Sequence, residues 1–295
     1  MSKEKILQAG KIASEVRTYA KTLAKKDAFL VEIANKIEEK IIQLGGKPAF
    51  PTNTSINEVA AHYTPSHDDK TKAHGLLKVD FGVHVDGYIS DNAFSVDLEN
   101  SDENKNLIQA TQEALESAID TISPGVLTSE VGEAISSEIT QKGFQPIVNL
   151  SGHQIEQYNL HAGLSIPNFN DKSEKKITQG LYAIEPFATF STGSGKIKDG
   201  PSSGIYMLIN DKIPRTPLAR EILEYIIESY NTLPFCSRWL VKEFGTKALL
   251  ALRQLEQNKN LHQYKQLVET TGSVVAQSEH TILLTQEDEK IVTTK

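Results

Sequence analysis

With a single cysteine, Cys236, the 295-residue chain can form no disulfide within itself, and this sparing use fits a reducing compartment, the cytoplasm. No run of apolar residues approaches the ~18 that a transmembrane helix needs. The opening MSKEKILQAGK lacks the apolar core of a signal peptide. Without one, the triplets at Asn53 and Asn149 that match a glycosylation site read as chance. No basic excess is present either. A net charge of −7 argues against a binder of nucleic acid or of anionic membranes. Low-complexity tracts and flexible linkers are also missing. What remains is an ordinary globular composition, 39% hydrophobic and 23% charged, at a length that suits one large domain or two small ones.

The most informative stretch is 78–98, KVDFGVHVDGYISDNAFSVDL. Val79, Phe81, Val83 and Val85 alternate with other positions, Asp86-Gly87 is a turn pair, and Tyr88, Ile89, Phe94 and Val96 supply a returning strand. A two-residue loop pairs Val85 with Tyr88 and sets Gly82 opposite Asp91, where a glycine leaves clearance. Asp80 then shares a face with Asp91, diagonal to it, with Cβ atoms about 7 Å apart. Two like charges held so close oppose folding unless a cation sits between them. The hairpin is therefore predicted to be half of a metal site.

Around it the chain repeats an order. Residues 3–25 are predicted helical, and Asp27 caps a second helix that Gly45-Gly46 ends. Pro48 to Thr54 is extended, and the hairpin follows. Helices at 103–122 and 128–142 come next, then strands at 145–150, 158–160 and 180–189. Helix, helix and strands thus occur twice, which predicts an α+β fold of two related halves facing each other. Amphipathic helices between Pro214 and Asn260 interrupt the pattern before strands resume at Ser273 and His280. A polar tail with one apolar step, Ile291-Val292, closes the chain.

Three further metal-ligating side chains stand near strand edges. Glycine-flanked His153 suits a loop or bulge. Glu185, in LYAIEPF, and Glu279, in VAQSEHTILL, are acidic residues within apolar strands, where a carboxylate is costly unless paired or metal-bound. Asp80, Asp91, His153, Glu185 and Glu279 form an oxygen-rich set with one nitrogen that suits hard or borderline divalent ions. Four carboxylates balance two such ions, and a bridged pair of metals is a hydrolytic centre. His62 and His161 are not needed as ligands. Each is suited to hydrogen-bond a reacting carbonyl or a peptide nitrogen.

PAFPTNTSIN with AAHYTP, DFGVHVDGYISDNA, NLSGHQIEQYNLHAG, YAIEPF and AQSEHTILL resemble, in order, the motifs of type 2 methionine aminopeptidases, most closely the archaeal form. The spacing of eleven from Asp80 to Asp91 and of eight from His153 to His161 agrees. The resemblance covers nearly the whole chain. It implies the pita-bread (creatinase/aminopeptidase) fold of peptidase family M24, with residues 1–295 as one catalytic domain, two pseudo-symmetric halves, and a helical insertion over 203–262. It implies two divalent ions (Co, Mn, Fe or Zn) on Asp80, Asp91, His153, Glu185 and Glu279, with Asp91 and Glu279 bridging. Glu185, His161 and His62 would be catalytic. His62 and His161 would also contact the substrate, and Phe50, Leu160, Phe187 and Tyr264 would line a methionine pocket. Ile205 stands where eukaryotic members have a histidine, making that wall more apolar. The implied activity is removal of the initiator methionine from nascent proteins when the second residue is small and uncharged, by a cytoplasmic monomer near the ribosome.

Two rivals share the fold: a proline-specific aminopeptidase or prolidase, and a non-catalytic, ribosome-associated homologue that has lost metal ligands. Blander readings hold elsewhere. Cys236 is expected to be a buried thiol and His280 structural. His74 and His84 are solvent-facing or structural. STGSGKIKDG fails the phosphate-loop pattern and reads as a mobile loop. The charge runs 38–40 and 287–290 belong to solvated surface.

Overall fold

Helix α1 (Lys3–Leu23) starts where the Ser2 hydroxyl accepts from the backbone N–H of Lys5. The computed structural model describes every residue except Met1 and Asp288, so Asp288 of the second charge run lies outside the described residues. The expected Asp27 cap is not found: helix α2 (Leu30–Gln43) starts after Phe29, which makes no side-chain capping bond. The backbone sets the entry instead. Asp27 adopts φ +65°, Phe29 bridges Lys72, and Leu30 N–H donates to Thr71 O.

Strands β1 (Lys47–Ile56), β3 (Leu76–Val85) and β4 (Tyr88–Asp97) form an antiparallel sheet in the order β1-β3-β4, with short β2 (Val59–Ala61) between the first two in sequence. Helices α1 and α2 cover it, burying Val16, Ile33, Ile37 and Ile41 against Val79, Phe81 and Val83. The hairpin has the expected register, Val85 against Tyr88 and Gly82 against Asp91. Asp86 and Gly87 both have positive φ, 52° and 78°, as a two-residue hairpin turn of matching twist requires. Gly82 serves a different neighbour from the one expected. A Cβ there would come within 2.4 Å of Phe50 Cε1, so the clearance is for β1 and not for Asp91.

The second half repeats the plan. Helices α3 (Asp102–Thr121) and α4 (Thr128–Gln141) pack Leu115, Ile119, Ile135 and Ile139 on Tyr182, Ile184 and Ile282. The strands are shorter than predicted: β5 (Phe144–Pro146), β6 (Ser151–Ile155), β7 (Ser165–Pro167), β8 (Gly180–Ile184) and β9 (Phe187–Phe190). Residues 158–160 are a turn rather than a strand, because Tyr158 takes φ +56° and donates its N–H to Gly87 O.

Residues 197–269 carry β10 (Ile197–Leu208), α5 (Pro217–Tyr230), β11 (Phe235–Cys236), α6 (Ser237–Phe244), α7 (Ala248–Gln257) and β12 (Leu261–Glu269). The three helices bury a cluster of their own, centred on Ile222, Ile226, Leu240 and Leu252. The sheet β11-β10-β12-β2 fastens this region to the first half. STGSGKIKDG is tied down rather than loose: Ser194 donates from its N–H and its hydroxyl to buried Glu269 at 2.7 and 2.5 Å, and Ser273 N–H donates to the same side chain at 2.9 Å. Burial opposes ionisation of Glu269, but these bonds outweigh it and bring its pKa down to about 2.

The chain closes with β13 (Val275–Gln277), β14 (His280–Leu284) and β15 (Lys290–Val292), in sheets ordered β13-β9-β5 and β15-β14-β8-β6-β7. The tail is therefore structural: β15 pairs with β14, and Thr293 and Thr294 are buried. His280 is buried too, its Nδ1 2.7 Å from Thr294 Oγ1. Buried His84 accepts from Gly87 N–H, as a structural histidine would. Cys236 is fully buried, which pushes its thiol up to about 12. Glu38 does not belong to solvated surface. It is buried and accepts from Arg238 at 2.7 and 2.8 Å, from Trp239 Nε1 at 2.8 Å and from Thr52 N–H at 3.0 Å. Fold contacts bring together residues two hundred positions apart, and no local pattern in the charge run announces them.

Candidate metal centre

Asp80 projects from β3 and Asp91 from β4. The remaining three predicted ligands come from the second half, not quite where they were expected. His153 lies in the middle of β6, paired with Ser165 and Ala183, rather than in a loop or bulge. Glu185 and Glu279 are not inside strands. Glu185, with Pro186, fills the gap between β8 and β9, and Glu279, with Ser278, fills the gap between β13 and β14. The two gaps face each other, since β8 pairs with β14 and β9 with β13, and Ser278 N–H donates to Pro186 O across them. The proline has no N–H for a ladder, so the strand ends there and the carboxylate turns out of the sheet.

All five side chains line one cavity of about 310 Å³. Ligand atoms of Asp91, His153 and Glu279 lie within 4.8 Å of one another. His153 Nε2 stands 3.7 Å from Asp91 Oδ2 and 3.8 Å from Glu185 Oε1, too far for good hydrogen bonds but suited to donors that face a common cation. Asp80 Oδ1, Asp91 Oδ1 and His153 Nδ1 are buried without a hydrogen-bond partner. Among the described residues no lysine or arginine forms an ion pair with any of the four carboxylates, and His153 supplies the contacts that do exist. Buried carboxylates without counter-ions are what a cation site leaves behind, so the residues fit divalent metal.

The electrostatics agree. Burial pushes the carboxyls of Asp91, Glu185 and Glu279 well above the ordinary range, and the neighbouring carboxylates push them further. Asp80 rises to about 7 through burial, opposed by a hydrogen bond from Gln277. Burial pushes His153 down to about 3, with His161 adding to the effect, so the imidazole stays neutral and able to ligate.

The predicted substrate residues line the same cavity. His62 has φ +63°, and its Nδ1 lies 3.2 Å from Lys265 O, with Tyr264 edge-on at 5.5 Å. Burial lowers its pKa to about 4, so the neutral ring donates from Nδ1–H to that carbonyl and leaves Nε2 as an acceptor. His161 packs its ring 4.3 Å from that of His153. Phe50, Leu160, Phe187 and Tyr264 supply apolar wall, and Ile205 joins them.

Sequence reasoning missed the groups that hold these ligands in place. Arg17 donates from Nη1 to Ala93 O at 2.8 Å, Asn92 Oδ1 at 3.1 Å and Glu279 O at 3.3 Å. Lys78, fully buried, donates to Asn57 O at 2.9 Å and Val275 O at 2.8 Å, and burial lowers its pKa to about 7. Lys78 did leave a signal, a lysine between Leu77 and Val79 on the face of Asp80. Arg17 left none, because its partners lie on other elements.

A model of metallopeptidase family M24 matches residues 4–286. The chain is 49% identical over 301 residues to the methionine aminopeptidase of Pyrococcus horikoshii, with 100% of each chain covered. Among solved structures, a thermophilic Arx1 matches with a TM-score of 0.84 at 15% identity, covering 99% of this chain and 91% of that one. A methionine aminopeptidase from Thermotoga maritima matches with a TM-score of 0.70 at 21% identity, covering 100% and 98%. At such identities the two structures speak for the fold alone.

Proposed function

The chain belongs to metallopeptidase family M24, and on that premise we propose that it is a methionine aminopeptidase, removing the N-terminal methionine of new proteins when the second residue is small and uncharged. The observation that carries this reading is the buried cluster of Asp91, His153 and Glu279, with ligand atoms within 4.8 Å, in a cavity that also holds His62, His161 and an apolar patch of Phe50, Leu160, Phe187 and Ile205. Full-length likeness to an archaeal methionine aminopeptidase supports it.

On this reading Asp80, Asp91, His153, Glu185 and Glu279 hold two divalent ions, and Co, Mn, Fe or Zn all suit the set. When bound, such ions supply Lewis acidity and lower the pKa of water. The protein's own groups do the rest. Glu185 takes a proton from the attacking nucleophile and relays it to the departing amine. His62 accepts at Nε2 from a peptide N–H of the substrate, because its Nδ1–H is spent on Lys265 O. His161 donates to the carbonyl oxygen of the scissile bond. Phe50, Leu160, Phe187 and Tyr264, with Ile205, enclose the unbranched, polarizable methionine side chain. Residues 1–295 act as one catalytic domain with 203–262 as an insertion. The enzyme works as a cytoplasmic monomer on nascent chains, near the ribosome.

The test is hydrolysis of Met-Ala-Ser in Mn²⁺, Fe²⁺, Co²⁺ or Zn²⁺. Release of free methionine with at least one metal, and none in EDTA, is expected. Cleavage of Xaa-Pro dipeptides in place of Met-Ala-Ser would overturn the reading in favour of a prolidase. No cleavage, with protein that retains no added metal, would overturn it in favour of the non-catalytic homologue.

A further inference from the structure

The two halves meet beside the ligands along β4 and β13–β14, and side-chain hydroxyls close much of that seam. At its centre Glu279 N–H donates directly to Ala93 O at 3.0 Å. Two residues to one side, Thr281 Oγ1 accepts from Asp91 N–H at 2.7 Å and donates to Asp91 O at 2.7 Å. Two residues to the other side, Ser95 Oγ accepts from Gln277 N–H at 2.9 Å and donates to Gln277 O at 2.7 Å. The pattern is reciprocal: each half lends one hydroxyl, and that hydroxyl satisfies both main-chain groups of one residue in the other half. Thr281, Ser95, Asp91 and Gln277 are all buried. A hydroxyl placed this way does what an ordered water would do, but it cannot leave.

We propose that Thr281 is a positioning residue for the metal centre: by saturating the main-chain N–H and C=O of Asp91 from the opposite half, it fixes where the Asp91 carboxylate meets His153 and Glu279. The proposal rests on the reading that this cluster binds divalent ions. Asp91 is the ligand that needs such a hold. Its carboxylate lies within 4.8 Å of ligand atoms on two residues from the other half, so a small slide of one half against the other would part them. Threonine suits the task because its Cβ branching restricts χ1 and holds the hydroxyl in place. The Ser95 clamp acts at one remove. It holds Gln277, whose Nε2 is 3.4 Å from Glu185 Oε2.

The experiment is calorimetric titration of metal-free protein with Mn²⁺, beside thermal unfolding of the same samples in EDTA. Thr281→Val keeps the shape and removes the hydroxyl. It should bind Mn²⁺ about 10-fold to 100-fold more weakly, the usual effect of losing a group that orients a ligand. Thr281→Ser restores the hydroxyl and should bind close to wild type even where its melting temperature is lower. A role confined to folding would lower the melting temperature of Thr281→Val and leave its Mn²⁺ affinity unchanged, and that result would overturn the proposal. If Thr281→Val does not fold, Thr281→Cys, with a poor hydrogen-bonding thiol in the same place, is titrated instead, and unchanged affinity in it overturns the proposal equally. Wild-type protein that takes up no Mn²⁺ would instead overturn the metal reading on which the proposal stands.

Discussion

Two antiparallel ribbons supply four of the five predicted ligands, and they are built differently. The ribbon β3–β4 is unbroken, with ten residues in each strand and a continuous register from Leu76–Asp97 to Val85–Tyr88. The ribbon of the second half, β8–β9 against β13–β14, is interrupted in both strands at one level. In the first ribbon, period-two alternation alone aims Asp80 and Asp91 at one face. In the second, the carboxylates of Glu185 and Glu279 sit in the interruption, where no ladder dictates their direction. A carboxylate can thus reach a common site by strict register or by a break in register. The first route leaves its mark on local sequence and the second depends on what lies across the sheet.

The sharpest challenge to this comparison removes one ligand from each ribbon. Asp80→Ala and Glu279→Ala should each reduce kcat/KM for Met-Ala-Ser on the order of 10³-fold or more. A variant that keeps about a tenth of wild-type activity would show that its ribbon contributes only scaffold. Next in size is a glycine inserted between Asp86 and Gly87. A one-residue slip turns side chains to the opposite face along the unbroken ribbon. Mn²⁺ binding should vanish while far-UV circular dichroism stays native, and an insertion variant that titrates like wild type would contradict the register.

A smaller effect is expected from Lys78→Met, which cuts a tie between the two ribbons. The carbonyls of Asn57 and Val275 each lose the lysine's hydrogen bond, and Asn57 O keeps the one from Val275 N–H. Urea unfolding should show a loss of about 1–3 kcal/mol, and no loss would mean that the buried charge costs as much as its bonds return. The smallest effect concerns the loop that leaves the broken ribbon. The folded-state pKa of Glu269 is depressed from 4.5 to about 2, so its ionised form stabilises the fold. That contribution is complete above about pH 4.5 and disappears as the pH falls towards 2. The stability gap between wild type and Glu269→Gln should therefore be widest near neutrality and close in acid. A gap independent of pH would point to lost packing.

The same contrast explains what could be read without coordinates. Asp80, Asp91, the turn and the register follow from alternation within 21 residues, KVDFGVHVDGYISDNAFSVDL, and all are present in the structure. The residue types of Glu185 and Glu279 stand out against apolar neighbours, but the apolar pattern runs straight through the gap. Pro186 was a local sign of one interruption. The other, at Ser278, has no such sign and mirrors its partner strand. Flanking glycine predicts a loop or bulge at His153, because glycine is a common turn signal, and pairing with β8 overrides it. Thr281, Ser95 and Arg17 are ordinary residues in ordinary contexts. Their importance lies in a partner on another element, which local periodicity does not record.

The ion pair of Glu38 with Arg238 bears on modularity. Residues 203–262 have their own apolar core, yet they do not stand apart from the rest of the chain. Arg238 and Trp239 belong to that stretch and Glu38 to the first half, so excision would leave a buried carboxylate held only by the Thr52 N–H. A chimaera would have to transplant both sides of the pair together, or replace both by apolar residues. Residues 203–262 and the first half are therefore locked together by a buried charge pair, although the chain separates its partners by two hundred positions.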